Sequence, residues 1–244
     1  MLSSIRRELK AQASIARAKQ QASYFKTGSG QYGEGDVFLG LTVPAVRAIA
    51  KKHKDLPLDQ VQLLAQSKYH EERLCALVIL NHQYLAAQDN AERKMYFDFW
   101  LELLAEGYVN NWDLVDVSAP VLGEILSRHI GYNAVFIHGL SRSSNLWERR
   151  AAIILTFPLI RLGKFGPTVA VARDLLADKH DLIHKATGWM LREVGNRDKT
   201  VLNKFLEKYS HDMPRTMLRY AIEKHSPKER AKFLARYSLA HSQS

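Results

Sequence analysis

One chemistry recurs at helix starts along this chain, and it limits the fold more than any composition figure does. The stretches Ser144–Asn145–Leu146–Trp147–Glu148–Arg149–Arg150–Ala151, His180–Asp181–Leu182–Ile183–His184–Lys185–Ala186 and His211–Asp212–Met213–Pro214–Arg215–Thr216 each begin a helix with a polar cap. Each also places a basic group in the early turns. Aligned on Arg149, Lys185 and Arg215 they step by 36 and 30 residues, and Arg73 precedes Arg149 by 76. Steps of this size suit helical-pair repeats of roughly 30–47 residues, which stack into a curved slab with one helix of each pair on the inner face. The expected fold is all-α, a curved α-solenoid forming a single helical-repeat domain over residues 1–244.

Periodicity places a helix over residues 3–25, followed by a loop from Lys26 to Asp36. Thr42 then caps a helix with Pro44 in its first turn, running to about His53. Further helices are expected from Asp59 to about Ser67, from Glu71 to about Leu85, and from an Asn90 cap through Leu104, closed by Gly107. Asn110 is read as the cap of the helix that carries Trp112 and ends near His129–Gly131. Beyond it come Asn133–Leu140, Leu146–Leu162 with Pro158 set to kink or shorten it, Pro167–Ala177, Asp181–Gly195, Lys199–Lys208, Pro214–Lys224 and Pro227–Tyr237. No interval alternates convincingly as a strand, although the run Ala134–Val135–Phe136–Ile137 fits either state. Four glycines, Gly28, Gly30, Gly33 and Gly35, keep residues 26–36 a glycine-rich loop within the domain. They follow no strand and lack dinucleotide-fingerprint spacing, so the loop reads as plain or as the edge of a substrate site.

Thirty-five Lys and Arg against 25 Asp and Glu give a formal charge of +10. Such an excess favours a polyanionic partner, nucleic acid before an anionic membrane surface. Cys75 is the only cysteine, so no intrachain disulfide forms, and the chain suits a reducing cytoplasm. The first residues carry no apolar signal core and no stretch approaches 18 uncharged apolar residues, so neither export nor a membrane span is expected.

Within the Trp112 helix, Trp112 and Asp116 are four residues apart and share a face. Asp113, placed at the third helical position, reads as the capping acid. Asp116 either pairs with a neighbouring arginine or faces an electron-poor sugar or water in a partly dry groove. Asp116 to Arg150 spans 34 residues and Arg150 to Trp189 spans 39, so equivalent faces of three repeats are expected to bring Trp112, Asp116, Arg150 and Trp189 to one wall. Both tryptophans also suit a core, yet their hydrophilic neighbours suit ring contact with a sugar or base. Arg150 either pairs with Glu148 or clamps a phosphate through its planar fork. Arg149 beside it is a further candidate contact. Arg215 and Arg219, four apart, form either a second phosphate contact or a solvated face. His180 and His184 have metal-capable spacing without a third ligand, and no Walker, nucleophile-elbow, zinc or deaminase pattern occurs, so no metal or cofactor is expected.

These motifs resemble the DNA alkylation repair family, glycosylases built from HEAT-like helical repeats. The resemblance runs from about Tyr24 to Tyr237 and is carried by Val37–Phe38–Leu39–Gly40–Leu41–Thr42–Val43–Pro44, Asn111–Trp112–Asp113–Leu114–Val115–Asp116, Leu146–Trp147–Glu148–Arg149–Arg150–Ala151 and Lys185–Ala186–Thr187–Gly188–Trp189–Met190–Leu191–Arg192–Glu193. It implies a monofunctional glycosylase that removes positively charged N3- or N7-alkylated purines from duplex DNA without swinging the base into a pocket. By that resemblance the catalytic carboxylate falls on Asp116, the sugar-contacting tryptophans on Trp112 and Trp189, and the phosphate-binding arginine on Arg150. The expected partner is duplex DNA containing alkylated purines, bound by a cytoplasmic monomer associated with the nucleoid when on DNA. A non-catalytic module for branched or distorted DNA and a protein-binding scaffold are the rival readings. The lesion class comes from the resemblance alone.

Overall fold

The computed structural model describes residues 1–128 and 131–241, with side chains through residue 235 except at 129 and 130. Among the described residues the chain is all-α, with fifteen α-helices and no strand beyond an isolated bridge between Val37 and Tyr69. The helices are α1 (Leu2–Ala11), α2 (Ile15–Tyr24), α3 (Val43–Lys52), α4 (Leu58–Ala65), α5 (His70–Ala86), α6 (Asn90–Ala105) and α7 (Trp112–Leu122), then a 3₁₀ turn (Gly123–Ser127). They continue as α8 (Ala134–Ser141), α9 (Leu146–Ile154), α10 (Phe157–Arg161), α11 (Gly166–Asp174), α12 (Asp181–Arg197), α13 (Lys199–Tyr209), α14 (Arg215–Ala221) and α15 (Pro227–His241). They fall into two compact units, Met1–Leu122 and the residues from Gly123 on. No described helix is long and apolar enough to cross a membrane.

In the first unit α5 is the central element, packed by α3, α4, α6 and α7. Its interior is apolar, with Leu74, Cys75, Ala76, Leu77, Ile79 and Leu80 buried. Its first turn is not: His70, Glu71, Glu72 and Arg73 are charged or polar and all buried. Burial of such groups is tolerable only with partners, and each has one. The Glu71 carboxylate accepts the backbone N–H groups of Leu39, Gly40 and Leu41 at 2.8, 2.7 and 3.1 Å. The three carbonyls of the same residues face α2 instead, accepting Ser14 N, Arg17 Nε and Gln21 Nε2 at 2.9, 2.7 and 2.7 Å. All six backbone polar groups of this tripeptide are thereby satisfied without regular secondary structure, and the tripeptide fixes α2 against α5. Gly40 permits it: φ is +86°, and a Cβ there would lie 2.1 Å from the Ser14 carbonyl oxygen.

The recurring helix-start chemistry has a structural cause. Arg73 Nη1 donates to the Ser67 carbonyl at 2.9 Å and Arg149 Nη1 to the Ser143 carbonyl at 2.9 Å, in both cases six residues back. In α12 the equivalent partner is His184, whose Nε2 meets the Asp178 carbonyl at 2.5 Å, again six residues back. A basic side chain in the first turn thus ties its helix to the incoming turn. The alignment on Lys185 is corrected by one residue, to His184. Arg215 makes no such bond among the described residues.

Several boundaries differ from the periodicity reading. The helix expected over 3–25 is broken at Gln12–Ser14, because Ser14 turns its hydroxyl to the Arg17 amide as the cap of α2 and gives its own N–H to Leu39. The cap of α6 is Asp89 rather than Asn90, while Gly107 closes the helix as expected, with φ +83°. The Leu146–Leu162 helix divides into α9 and α10 around Thr156, two residues before Pro158, whose ring nitrogen has no hydrogen to donate. The Trp112 helix ends at Leu122, not near His129. Pro120 weakens its last turn, and Gly123 packs so closely that a Cβ would lie 2.3 Å from the Leu155 carbonyl oxygen. His129 itself lies outside the described residues.

Replacing Glu71 by Ala leaves three buried amides without an acceptor. It should cost about 3 kcal/mol or more of stability, read as a lowered urea midpoint at unchanged slope.

Candidate functional site

The start of α7 carries Trp112 and Asp116 on successive turns of one face, both half-buried. Asn111, fully buried, begins the helix: its carbonyl accepts the Val115 amide and its side-chain oxygen accepts the Trp112 amide at 2.8 Å. The cap is therefore Asn111 rather than Asn110, which moves Asp113 to the second helical position. Asp113 does not close a capping box. Its Oδ2 meets His70 Nε2 at 2.8 Å.

His70 joins a buried polar cluster. Its Nδ1 lies 3.1 Å from Asp36 Oδ2, and Asp36 also accepts Arg73 Nη2 at 2.5 Å and Asn111 Nδ2 at 3.0 Å. Both imidazole nitrogens face carboxylates, so both must carry hydrogen and the ring is cationic. Burial by itself would pull the imidazole pKa down. The charge and hydrogen bond of Asp113, with the hydrogen bond to Asp36, outweigh burial and push it up to about 9. Burial likewise pushes the Asp36 carboxyl up, but His70, the Arg73 charge and the Asn111 amide together hold it below its ordinary range.

The Trp112 ring is held from its side by aromatic packing. It stacks on Phe25 at 5.2 Å with 9° between planes, Phe25 stacks on Phe38 at 5.0 Å, and Phe38 on the His70 ring at 4.6 Å. Tyr24, 67% exposed, meets the Trp112 edge at 6.0 Å. The cationic His70 ring also lies 5.0 Å from Phe25, tilted by 45°, and a cation packed against both phenylalanine rings adds attraction to the packing. Asn81 Nδ2 bonds the Val117 carbonyl at 2.9 Å, and Trp100 Nε1 donates to Ser118 Oγ at 2.9 Å, so the rest of α7 is fixed to α5 and α6.

In the second unit Trp189 lies on α12, half-buried, with Nε1 donating to Glu193 Oε1 at 3.2 Å and its ring 6.1 Å from Phe157. Gly188 beside it lets α14 approach, since a Cβ would lie 2.5 Å from the Met217 carbonyl oxygen. Arg150 on α9 is 4% exposed and donates Nη1 to the Leu182 carbonyl at 2.5 Å. Arg149 is spent on Asp178, at 2.6 Å, and on the carbonyls of Ser143 and Ser144. Its position is explained by the turn that it ties. Arg215 and Arg219 are exposed on α14 and have no hydrogen bond or ion pair among the described residues. His180 and His184 act as turn-forming groups, His180 Nδ1 accepting the Leu182 amide as the cap of α12 and His184 bonding the Asp178 carbonyl.

A family model described as DNA alkylation repair enzyme matches residues 5–225. The chain belongs to the DNA alkylation repair enzyme family. A solved structure described as a predicted DNA alkylation repair enzyme from Enterococcus faecalis is similar at a TM-score of 0.69 and 16% identity, covering 88% of this chain and 98% of that one. At that identity the likeness speaks for the fold. No curated protein matches the chain.

The residues that support the start of α7 were the ones that sequence reasoning missed. Asp36, His70 and Asn111 are separated by 34 to 75 residues, beyond any helical spacing rule. The signal available was the run His70–Glu71–Glu72–Arg73 directly before an apolar helix. Four ionisable or polar residues at the start of a buried helix need partners from elsewhere in the chain.

Asn111→Ala removes the cap of α7 and one donor to Asp36. It should cost about 2 kcal/mol, whereas Arg219→Ala should stay within about 0.5 kcal/mol; chemical denaturation of the two variants compares them directly.

Proposed function

We propose that this protein is a DNA glycosylase that hydrolyses the N-glycosidic bond of N3- and N7-alkylated purines in duplex DNA, without base flipping. Family membership supports DNA repair chemistry. The observation that carries the finer reading is the α7 face, where a ring held flat by Phe25 stands one turn from the Asp116 carboxylate. The formal charge of +10 suits a polyanionic substrate.

A purine alkylated at N3 or N7 is cationic and leaves as a neutral base, so the reaction needs no acid to protonate it. As the C1′–N9 bond breaks, its electron pair goes to the base and positive charge develops on the deoxyribose. Asp116 is assigned to stabilise that charge and to accept the proton of the water that adds to C1′. Trp112 is assigned to the sugar through its ring face, with a cation–π contribution that grows as the charge develops. Trp189 is assigned the second sugar contact and Arg150 the neighbouring phosphate. Of these four, Arg150 has the weakest structural support, being buried and already bonded to a carbonyl. Arg149, already bonded to Asp178 and to the Ser143 and Ser144 carbonyls, is left out of the DNA contact, and Arg215 and Arg219 are assigned to weak phosphate attraction. The product is an abasic site, with no lysine required for strand cleavage.

Release of 7-methylguanine and 3-methyladenine from methylated duplex DNA tests the reading. The wild type should release both, and Asp116→Asn should bind DNA but lose about a hundredfold or more in single-turnover rate. A folded wild type that releases neither base overturns the enzyme assignment, and an Asp116→Asn variant as fast as wild type overturns the role of Asp116. Arg150→Ala should weaken duplex binding and flatten its salt dependence by about one unit of slope.

A further inference from the structure

The buried cluster behind α7 does more than fill space, because it lies between the helix that it anchors and the ring that the helix displays. We propose that His70 is a positioning residue for the α7 site: as a buried cation bridging Asp36 and Asp113, it holds Trp112 in its stacked orientation and fixes the register of Asp116. This rests on the glycosylase reading for its consequence on rate, and on geometry alone for the bridge.

Three observations support it. First, His70 occupies both ends of the connection. Its nitrogens reach Asp36, at the end of the glycine-rich loop, and Asp113, the residue next to Trp112, while its face stacks on Phe38. From Phe38 the stack runs through Phe25 to Trp112. His70 also meets Phe25 directly at 5.0 Å, so one side chain contacts the helix start through a hydrogen bond and the displayed ring through a single intervening ring. Second, Asn111 repeats the linkage, bonding Asp36 with its amide nitrogen and the Trp112 amide with its oxygen.

Third, the charges cancel only in one protonation state. The charged groups facing His70 are Asp36 from the loop, Asp113 from α7, and Arg73 one turn along its own helix. Glu71 is held by the Leu39–Leu41 amides and Glu72 by Arg6 at 3.0 Å, and both lie next along α5. Two carboxylates and two cations sum to zero while the imidazole is charged. Neutral His70 would leave one buried carboxylate uncompensated, with one nitrogen lone pair turned toward a carboxylate oxygen. The raised pKa of about 9 agrees with this balance. Relative to an ordinary imidazole near 6.5, the stabilisation by protonated His70 is complete below that value and is lost as pH rises through about 9. The α7 site should therefore loosen on the alkaline side, not the acid side.

The wild-type chain tests the bridge without any substitution in the cluster. In a pH titration followed by imidazole nitrogen NMR, His70 should remain doubly protonated through neutrality and lose its proton near pH 9. The Trp112 part of the tryptophan emission, taken as wild type minus Trp112→Phe, should change with the same midpoint. A His70 that is neutral at pH 7, or a Trp112 emission indifferent to its titration, overturns the proposal. The consequence for rate is tested with His70→Gln in single-turnover excision at neutral pH. The rate should fall by about tenfold to a hundredfold, while affinity for undamaged duplex stays within about threefold. The alkaline fall in the wild-type rate should be absent from the variant, which separates His70 from changes in the DNA itself. Wild-type rate and an unchanged alkaline limb in folded His70→Gln overturn the positioning role. If the variant does not fold, the wild-type titration decides alone. If the wild type excises nothing, the glycosylase reading fails while the titration still decides the bridge.

Discussion

Two carboxylates and two cations share one buried place in the first unit, and the arrangement is stable because their charges cancel. Asp36, His70, Arg73 and Asp113 come from a loop, from the first turn of α5 and from the start of α7. Any one of them alone would be an expensive group to bury. His70 joins the two carboxylates, Arg73 pairs with Asp36, and the result is a polar joint between elements distant in sequence. The neighbouring Glu71 does the same for a stretch of irregular backbone, taking its three amides while α2 takes its three carbonyls. The first turn of α5 thus organises the unit by polar contacts, and the rest of α5 organises it by apolar burial.

That division explains how a helical protein presents a precise face on a regular element. Trp112 and Asp116 need no loop to position them. The helix sets their relative placement, Asn111 and His70 fix where the helix starts, and Phe25 sets the plane of the ring. Sites on regular elements with buried support hold geometry better than sites on mobile loops. For chemistry in which the leaving group is already activated, orientation and a fixed negative charge supply the protein's main contribution.

Much of the helical architecture was legible from periodicity and capping, because both are local. Trp112 and Asp116 are four residues apart, and that spacing alone puts them on one face. Thr42 with Pro44 gave the start of α3 for the same reason. Errors arose where a residue six or forty positions away decided the outcome. Asp113 resembled a capping acid, but its partner His70 lies 43 residues earlier. The α7 helix stops at Leu122 because Gly123 packs against the Leu155 carbonyl, a contact invisible in a local window. His184 rather than Lys185 ties the start of α12, since the rule is a bond six residues back and not the kind of base. Arg149, read as a further candidate contact beside Arg150, bonds both the Ser143 carbonyl before its own helix and Asp178, 29 residues on, a partner that no local window shows. The lesion class was never legible from spacing.

The central claim is that a carboxylate on α7 stabilises a sugar turning cationic as an already charged base departs. It is tested most directly by comparing single-turnover release of 3-methyladenine, a cationic lesion in DNA, with release of hypoxanthine, a neutral one, from duplexes of the same sequence. The account predicts rapid release of the first and release of the second no faster than in the absence of protein. Comparable acceleration of both would mean that the protein activates the leaving base itself, and would contradict it.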